Sequence, residues 1–114
     1  MYANGVHLSA MLFIETSMFT RLLAGLMSDE EYSRFQVELA RAPTSGDVIE
    51  GTGGLRKVRV ALPGRGKRGG ARVIYYYFSS DSKIVLLLVY SKNVQGNLTP
   101  SQKNALRAII ENWK

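Results

Sequence analysis

An α+β domain in the order β-α-α-β-β-β-α, an antiparallel sheet packed against helices, is what this 114-residue sequence predicts. Three observations carry that expectation. Two Ser/Thr-x-x-Glu/Gln boxes each open a segment with apolar residues at helical spacing. Ile84 to Tyr90 is unbroken apolar sequence, which marks a central strand covered on both faces. Two β-favouring segments precede it with short connections, so the three strands form an antiparallel meander. Apolar residues make up 46% of the chain, enough for one folded core at this length and too little chain for two.

Residues 1–10 show no periodicity and precede a second methionine, Met11. They are read as an extension of no assigned role, leaving one domain over residues 11–114. Met11 to Glu15 reads as the first strand. Ser17 then caps a helix from Met18 to about Met27, with Phe19, Leu22, Leu23 and Leu26 at helical spacing. Ser28-Asp29-Glu30-Glu31 is a capping box, and Tyr32, Phe35 and Leu39 share the following face, so a second helix runs to about Arg41. Pro43 ends it, because its ring disfavours helix in the preceding residue.

Leu55 to Ala61 reads as a strand with Lys57 and Arg59 on one face and Arg56, Val58 and Val60 on the other. Pro63 to Gly70 is glycine-rich and has no apolar side chain beyond its leading proline, so it is expected to be an irregular loop. Arg72 to Phe78 is the next strand, rich in Val, Ile, Tyr and Phe. A tight turn over Ser79 to Ser82 leads into Ile84 to Tyr90. Thr99-Pro100-Ser101-Gln102 is a second capping box with proline at the first helical position. Leu106, Ile109, Ile110 and Trp113 then place one apolar stripe on the sheet.

Charge is strongly segregated. Residues 1–50 carry three cations against seven acids, a balance of −4, and residues 51–114 carry twelve against two, a balance of +10. Between Gly51 and Ser80 stand Arg56, Lys57, Arg59, Arg65, Lys67, Arg68 and Arg72 without one carboxylate. Such a cluster cannot neutralise itself locally. It sits in water or meets an external anion, and its one-sided field favours a nucleic acid. The absence of cysteine excludes disulfides and thiolate metal sites and fits a reducing cytoplasm. The longest apolar run is too short to cross a bilayer, so no membrane partner is expected.

Gly64-Arg65-Gly66-Lys67-Arg68-Gly69 matches the dinucleotide fingerprint letter for letter. That fingerprint needs a helix after it; here a strand follows, so a basic loop that lets backbone approach phosphates is the better reading. Lys57 and Arg59 project from one strand face, and Arg72 opens the next strand, so antiparallel pairing brings the three together. Crowded cations make such a lysine a candidate base, with guanidiniums holding a phosphate bidentately. Tyr90 and Lys92 end the central strand beside the patch. His7 is the only histidine and the acids lie mainly in the helical half, so no metal and no cofactor are expected. Phosphodiester cleavage then relies on the RNA 2′-hydroxyl as nucleophile, with fixed cations around the phosphorane. A non-catalytic RNA-binding module that acts by occupancy is the alternative.

The runs Gly51 to Val60 and Gly64 to Arg72, with Tyr75-Tyr76, resemble HigB-type toxins of the RelE superfamily. Ser28 to Tyr32, Gly46 to Glu50, Tyr90 to Asn93 and the closing Leu98-to-Trp113 segment extend the resemblance over roughly residues 11 to 114. It implies a RelE-like fold and a ribosome-dependent endoribonuclease that cuts mRNA in the decoding site. It also implies a cognate antitoxin, usually with a helix-turn-helix. By motif, Arg72 grips the scissile phosphate, Lys57 and Arg59 are the paired basic residues before it, and Lys92 is the basic residue after the last strand. Arg56, Arg65, Lys67 and Arg68 are RNA contacts, the last three against ribosomal RNA. Where several family members carry a tyrosine or histidine near the C-terminal end, this chain offers Tyr90. The free protein is expected to be a monomer, since a decoding-site occupant must be small.

Overall fold

The computed structural model describes residues 2–8, 10–62 and 66–114, with residues 2–8 and 66–69 described by backbone alone. The chain runs β1 (Tyr2–Leu8), β2 (Met11–Thr16), α1 (Ser17–Leu23), α2 (Asp29–Arg41), β3 (Asp47–Val48), β4 (Arg56–Leu62), β5 (Gly66–Phe78), β6 (Lys83–Ser91) and α3 (Pro100–Glu111). The strands form one sheet in the order β1-β2-β6-β5-β4-β3. β4, β5 and β6 are the expected antiparallel meander, and β2 joins β6 in parallel. The α+β order read from the sequence is therefore present, with β1 and the two-residue β3 added at the sheet edges.

β6 is the centre of the molecule. Ile84 to Val89 lie at 8% exposure or less. On one face, Phe19, Met27, Phe35 and Leu39 of the α1–α2 segment cover Phe13, Val73, Tyr75, Leu86 and Val89. On the other, Leu106 and Ile110 of α3 cover Leu55, Ile74, Val85 and Leu87. Each fully buried aliphatic side chain is worth roughly 1.5–3 kcal/mol against water, so two helical layers pinning one strand define the architecture.

Both capping boxes form. Ser28 Oγ accepts from Glu31 N while Glu31 Oε1 accepts from Ser28 N, and Thr99 and Gln102 repeat the exchange at α3. The cap of α1 differs from expectation. It is Thr16, not Ser17, because Thr16 Oγ1 accepts from Phe19 N at 3.1 Å and gives its own proton to Leu87 O. The cap is thus tied to the central strand, and the helix ends at Leu23, with residues 24–27 continuing as a turn that still buries Met27.

Two further expectations are corrected. Residues 2–8, which show no periodicity in the sequence, are a strand paired antiparallel through Val6↔Phe13 and Leu8↔Met11. A register shift between Tyr2 and Gly5 breaks the alternation that would have revealed it. The expected loop over residues 63–70 is also shorter, since β5 begins at Gly66; residues 63–65 lie outside the described residues. Gly70 makes the extended hairpin possible: a Cβ there would lie 2.3 Å from Val60 O, so only glycine permits this approach of β5 to β4.

Candidate functional site

Strand register places the cations. Arg59 pairs with Arg72 and Arg72 with Tyr90, while one step along the sheet Asp47 pairs with Lys57, and Lys57 with Ile74. Residues directly opposite share a face, so Asp47, Lys57, Arg59, Arg72 and Tyr90 all belong to the face that carries α3. α3 covers only part of that face. Beyond it lies a cleft of ≈ 380 Å³ lined by Asp47, Lys57, Arg59, Arg72, Lys92, Gly96 and Asn97. Four residues singled out from the sequence as catalytic therefore line one cavity.

Each side chain has a distinct local reason for its place. Arg72 is only 4% exposed, and its Nη1 donates to Ala71 O at 3.2 Å. Lys57 Nζ donates to Asn97 Oδ1 at 3.4 Å. Lys92 is held at the backbone, where its N–H donates to Gly70 O and ties the end of β6 to β5. Arg59 lines a second, smaller cleft as well, of ≈ 160 Å³, between β4 and the α2 residues Glu31, Arg34, Phe35 and Glu38.

Among the described residues the only salt bridges within 4.0 Å are Lys83–Asp81 and Lys114–Glu111, neither of which involves a cleft residue. Four cations and one carboxylate thus face a shared space without closing on one another. A buried guanidinium costs desolvation free energy that a partner anion normally offsets. Here that anion is not supplied by the described fold.

Tyr90 stands differently. It is directly opposite Arg72 but buried, and its hydroxyl reaches Gly96 O at 3.4 Å beneath the β6–α3 connection. Burial raises its pKa, and the neighbouring Arg72 charge opposes that rise. Arg56 points to the other face, where Nη1 donates to Gly46 O and Thr44 O at 2.8 and 3.2 Å and braces the turn into β3. It does not join the cleft. Arg65 lies outside the described residues, and Lys67 and Arg68 are described by backbone alone, on β5. Because Gly66 onward is strand, the dinucleotide fingerprint has no helix to open.

Sequence reasoning missed Asp47, Gly96 and Asn97. Asp47 sits on a strand of only two residues, too short to show alternation. Its place is fixed by Tyr75, which is fully buried, accepts from Gly46 N at 3.0 Å and donates to Pro43 O at 2.8 Å. Asn97 is placed by side-chain amides: Gln95 Nε2 donates to Asn97 O and to Gln102 Oε1, the residue that also caps α3.

Fold and cleft together define a small α+β domain whose sheet carries a cationic cleft beside α3. The family model described as the RelE toxin of the RelE/RelB toxin–antitoxin system matches residues 16–114. The chain belongs to the RelE toxin family. It is thus related to the toxin halves of toxin–antitoxin pairs, which are generally endoribonucleases that inhibit translation. Among the described residues, no helix is long and apolar enough to cross a membrane.

Proposed function

We propose that this chain is a HigB-type toxin that enters the ribosomal decoding site and cuts mRNA there by metal-independent attack of the 2′-hydroxyl. The supporting observation is the convergence of Lys57, Arg59, Arg72 and Lys92 on one cleft with no salt bridge from the described fold. Such a cleft suits a phosphodiester, whose negative charge grows as the phosphorane forms. Arg72, fixed by burial, holds the scissile phosphate bidentately. Lys57, Arg59 and Lys92 share charge neutralisation, the lysines take part in proton transfer, and Tyr90 supports Arg72 as the floor of the site.

The reading extends to partners. Arg65, Lys67 and Arg68 lie against ribosomal RNA, giving a salt-sensitive, sequence-independent contribution to binding. A helix-turn-helix antitoxin encoded beside the toxin restrains it, the free toxin is a monomer, and the site of action is the cytoplasm.

Mapping of mRNA 5′ ends in a translation extract tests the reading. The expected result is a set of new codon-registered breaks that vanish when the scissile nucleotide is 2′-deoxy. Inhibition of translation with intact mRNA would instead assign the protein to blocking by occupancy.

A further inference from the structure

The cleft contains one group that the cationic reading leaves unused. Asp47 is the only carboxylate among its lining residues, it takes part in no salt bridge within 4.0 Å among the described residues, and it pairs in register with Lys57. Its backbone is not free to wander. Gly46 is locked to Tyr75 from one side, and a Cβ at Gly46 would meet that ring at 2.9 Å, while β3 pairing fixes the other side.

Electrostatics makes the placement specific. Asp47 is exposed and lines the rim of the cleft, where a fold built only to attract polyanion has no use for a negative charge, because that charge weakens the field. A fold that must also remove a proton does have such a use. Among the lining side chains, lysine and arginine are donors without acceptor capacity when charged, and a carboxylate accepts only. With four cations and one acid the cleft keeps a net +3, a field that still attracts a phosphate.

We infer that Asp47 takes the proton of the attacking 2′-hydroxyl. This rests on the nuclease reading above and deepens it. In the step, the O2′–H bond breaks and its proton passes to the Asp47 carboxylate while O2′ bonds to phosphorus. The P–O5′ bond breaks, its electron pair leaves with O5′, and O5′ takes a proton from the ammonium of Lys57 or Lys92. The products are a 2′,3′-cyclic phosphate and a 5′-hydroxyl, and proton exchange with water resets both groups. Arg59 and Arg72 stay charged throughout and carry the phosphorane.

Single-turnover cleavage of mRNA on programmed ribosomes, measured across pH, tests this with the unaltered protein, Asp47→Asn and Asp47→Glu. Asp47→Asn is expected to slow cleavage roughly 10²–10³-fold, to abolish the acid-side fall of the pH profile, and to leave ribosome affinity within about threefold. The charged groups that line the cleft with Asp47 are Lys57 and Arg59 of β4, Arg72 of β5 and Lys92 after β6, and the Tyr75 phenol of β5 also feels its charge; all five persist in both variants. Asp47→Glu keeps the carboxylate and restores part of the rate together with the acid limb. An Asp47→Asn rate equal to or above that of the unaltered protein, with the same profile, overturns the assignment. So does a matched loss of rate and ribosome affinity, which would make Asp47 a binding or structural residue. Absence of cleavage by the unaltered protein removes the nuclease reading, and the role of Asp47 with it.

Discussion

Among the described residues, two side chains that carry a charge at neutral pH are buried in the sheet, and the fold treats them oppositely. Glu15, at the end of β2, is 7% exposed and receives hydroxyl protons from Thr20 at 2.6 Å and Tyr32 at 2.7 Å. Arg72, on β5, is 4% exposed and donates to the neighbouring Ala71 carbonyl, and among the described residues no carboxylate is in salt-bridge range. Glu15 is closed by its own chain. Arg72 is left open toward a cavity that an outside anion can enter. Burial thus serves two ends: a buried charge met by its own chain ties α1 and α2 to the sheet, whereas one that no carboxylate of the described residues neutralises is suited to an anion from outside.

The largest effect expected from this contrast is on chemistry. Arg72→Ala should lower codon-registered cleavage by roughly 10²–10³-fold, the usual cost of one lost transition-state donor. Its unfolding midpoint in urea should stay the same or rise, since a buried cation without an anion is removed. A large fall in stability would show that Arg72 is structural after all, and the contrast would fail. Toxicity on induction gives the same answer in cells: Arg72→Ala should be tolerated.

Glu15→Ala should show the reverse pattern. It strands the Tyr32 hydroxyl in a half-buried site and leaves the Thr20 hydroxyl only its bond to Thr16 O, at a cost of roughly 2 kcal/mol. Activity per folded molecule should be unchanged, because Glu15 is on β2, two strands from Arg72 in the sheet order. Urea unfolding monitored beside single-turnover cleavage separates the two variants in one experiment. Loss of activity with unchanged stability would remove the assignment of Glu15 to the scaffold.

Much of this arrangement was legible before any coordinates. Ile84 to Tyr90 announced the central strand, because only a strand covered on both faces tolerates unbroken apolar sequence. Ser28 and Thr99 announced their helices, because each capping box is a local exchange that needs no tertiary help. Lys57, Arg59 and Arg72 were readable as neighbours because antiparallel pairing across one hairpin leaves little freedom. β1 was not legible, since its pairing slips between Tyr2 and Gly5 and its pattern belongs to the partner strand. Nor was Asp47. Its position depends on a tyrosine 28 residues further along and a glycine beside it, and that contact is written in no local pattern. Strand parity already set Arg56 on the face away from Lys57 and Arg59; the carbonyls of Thr44 and Gly46 that hold it there are a contact no local pattern announced.

The closed site also has a pH signature. Burial, and then the Glu15 carboxylate, push the Tyr32 phenol above its ordinary value of 10.0. A group whose pKa is raised on folding contributes stability that is complete below the unfolded value and declines as pH climbs past it. Stability should therefore begin to fall above about pH 10 as the unfolded phenol ionises. Tyr75 and Tyr90 are raised by burial too and share that slope. Tyr32→Phe should cost about 1 kcal/mol at neutral pH, for one hydrogen bond, and should flatten the alkaline decline. An unchanged alkaline slope would show that Tyr32 ionises as freely folded as unfolded.

The smallest effect belongs to the rim of the open site. Asn97 touches Lys57 by a long hydrogen bond of 3.4 Å, both groups are near solvent, and the bond is therefore weak. What Asn97 supplies is direction: it restrains one flexible ammonium on the side where the β6–α3 connection closes over Tyr90. Asn97→Ala should slow cleavage only about threefold to tenfold and leave ribosome binding and stability intact. Gln95→Ala should do the same from one step back, because Gln95 holds the Asn97 backbone to the cap of α3. If the two act through one restraint on Lys57, the double variant should be no slower than the worse single one. Additive losses would mean that connection and lysine contribute separately, and that the open site is less preorganised than the closed one.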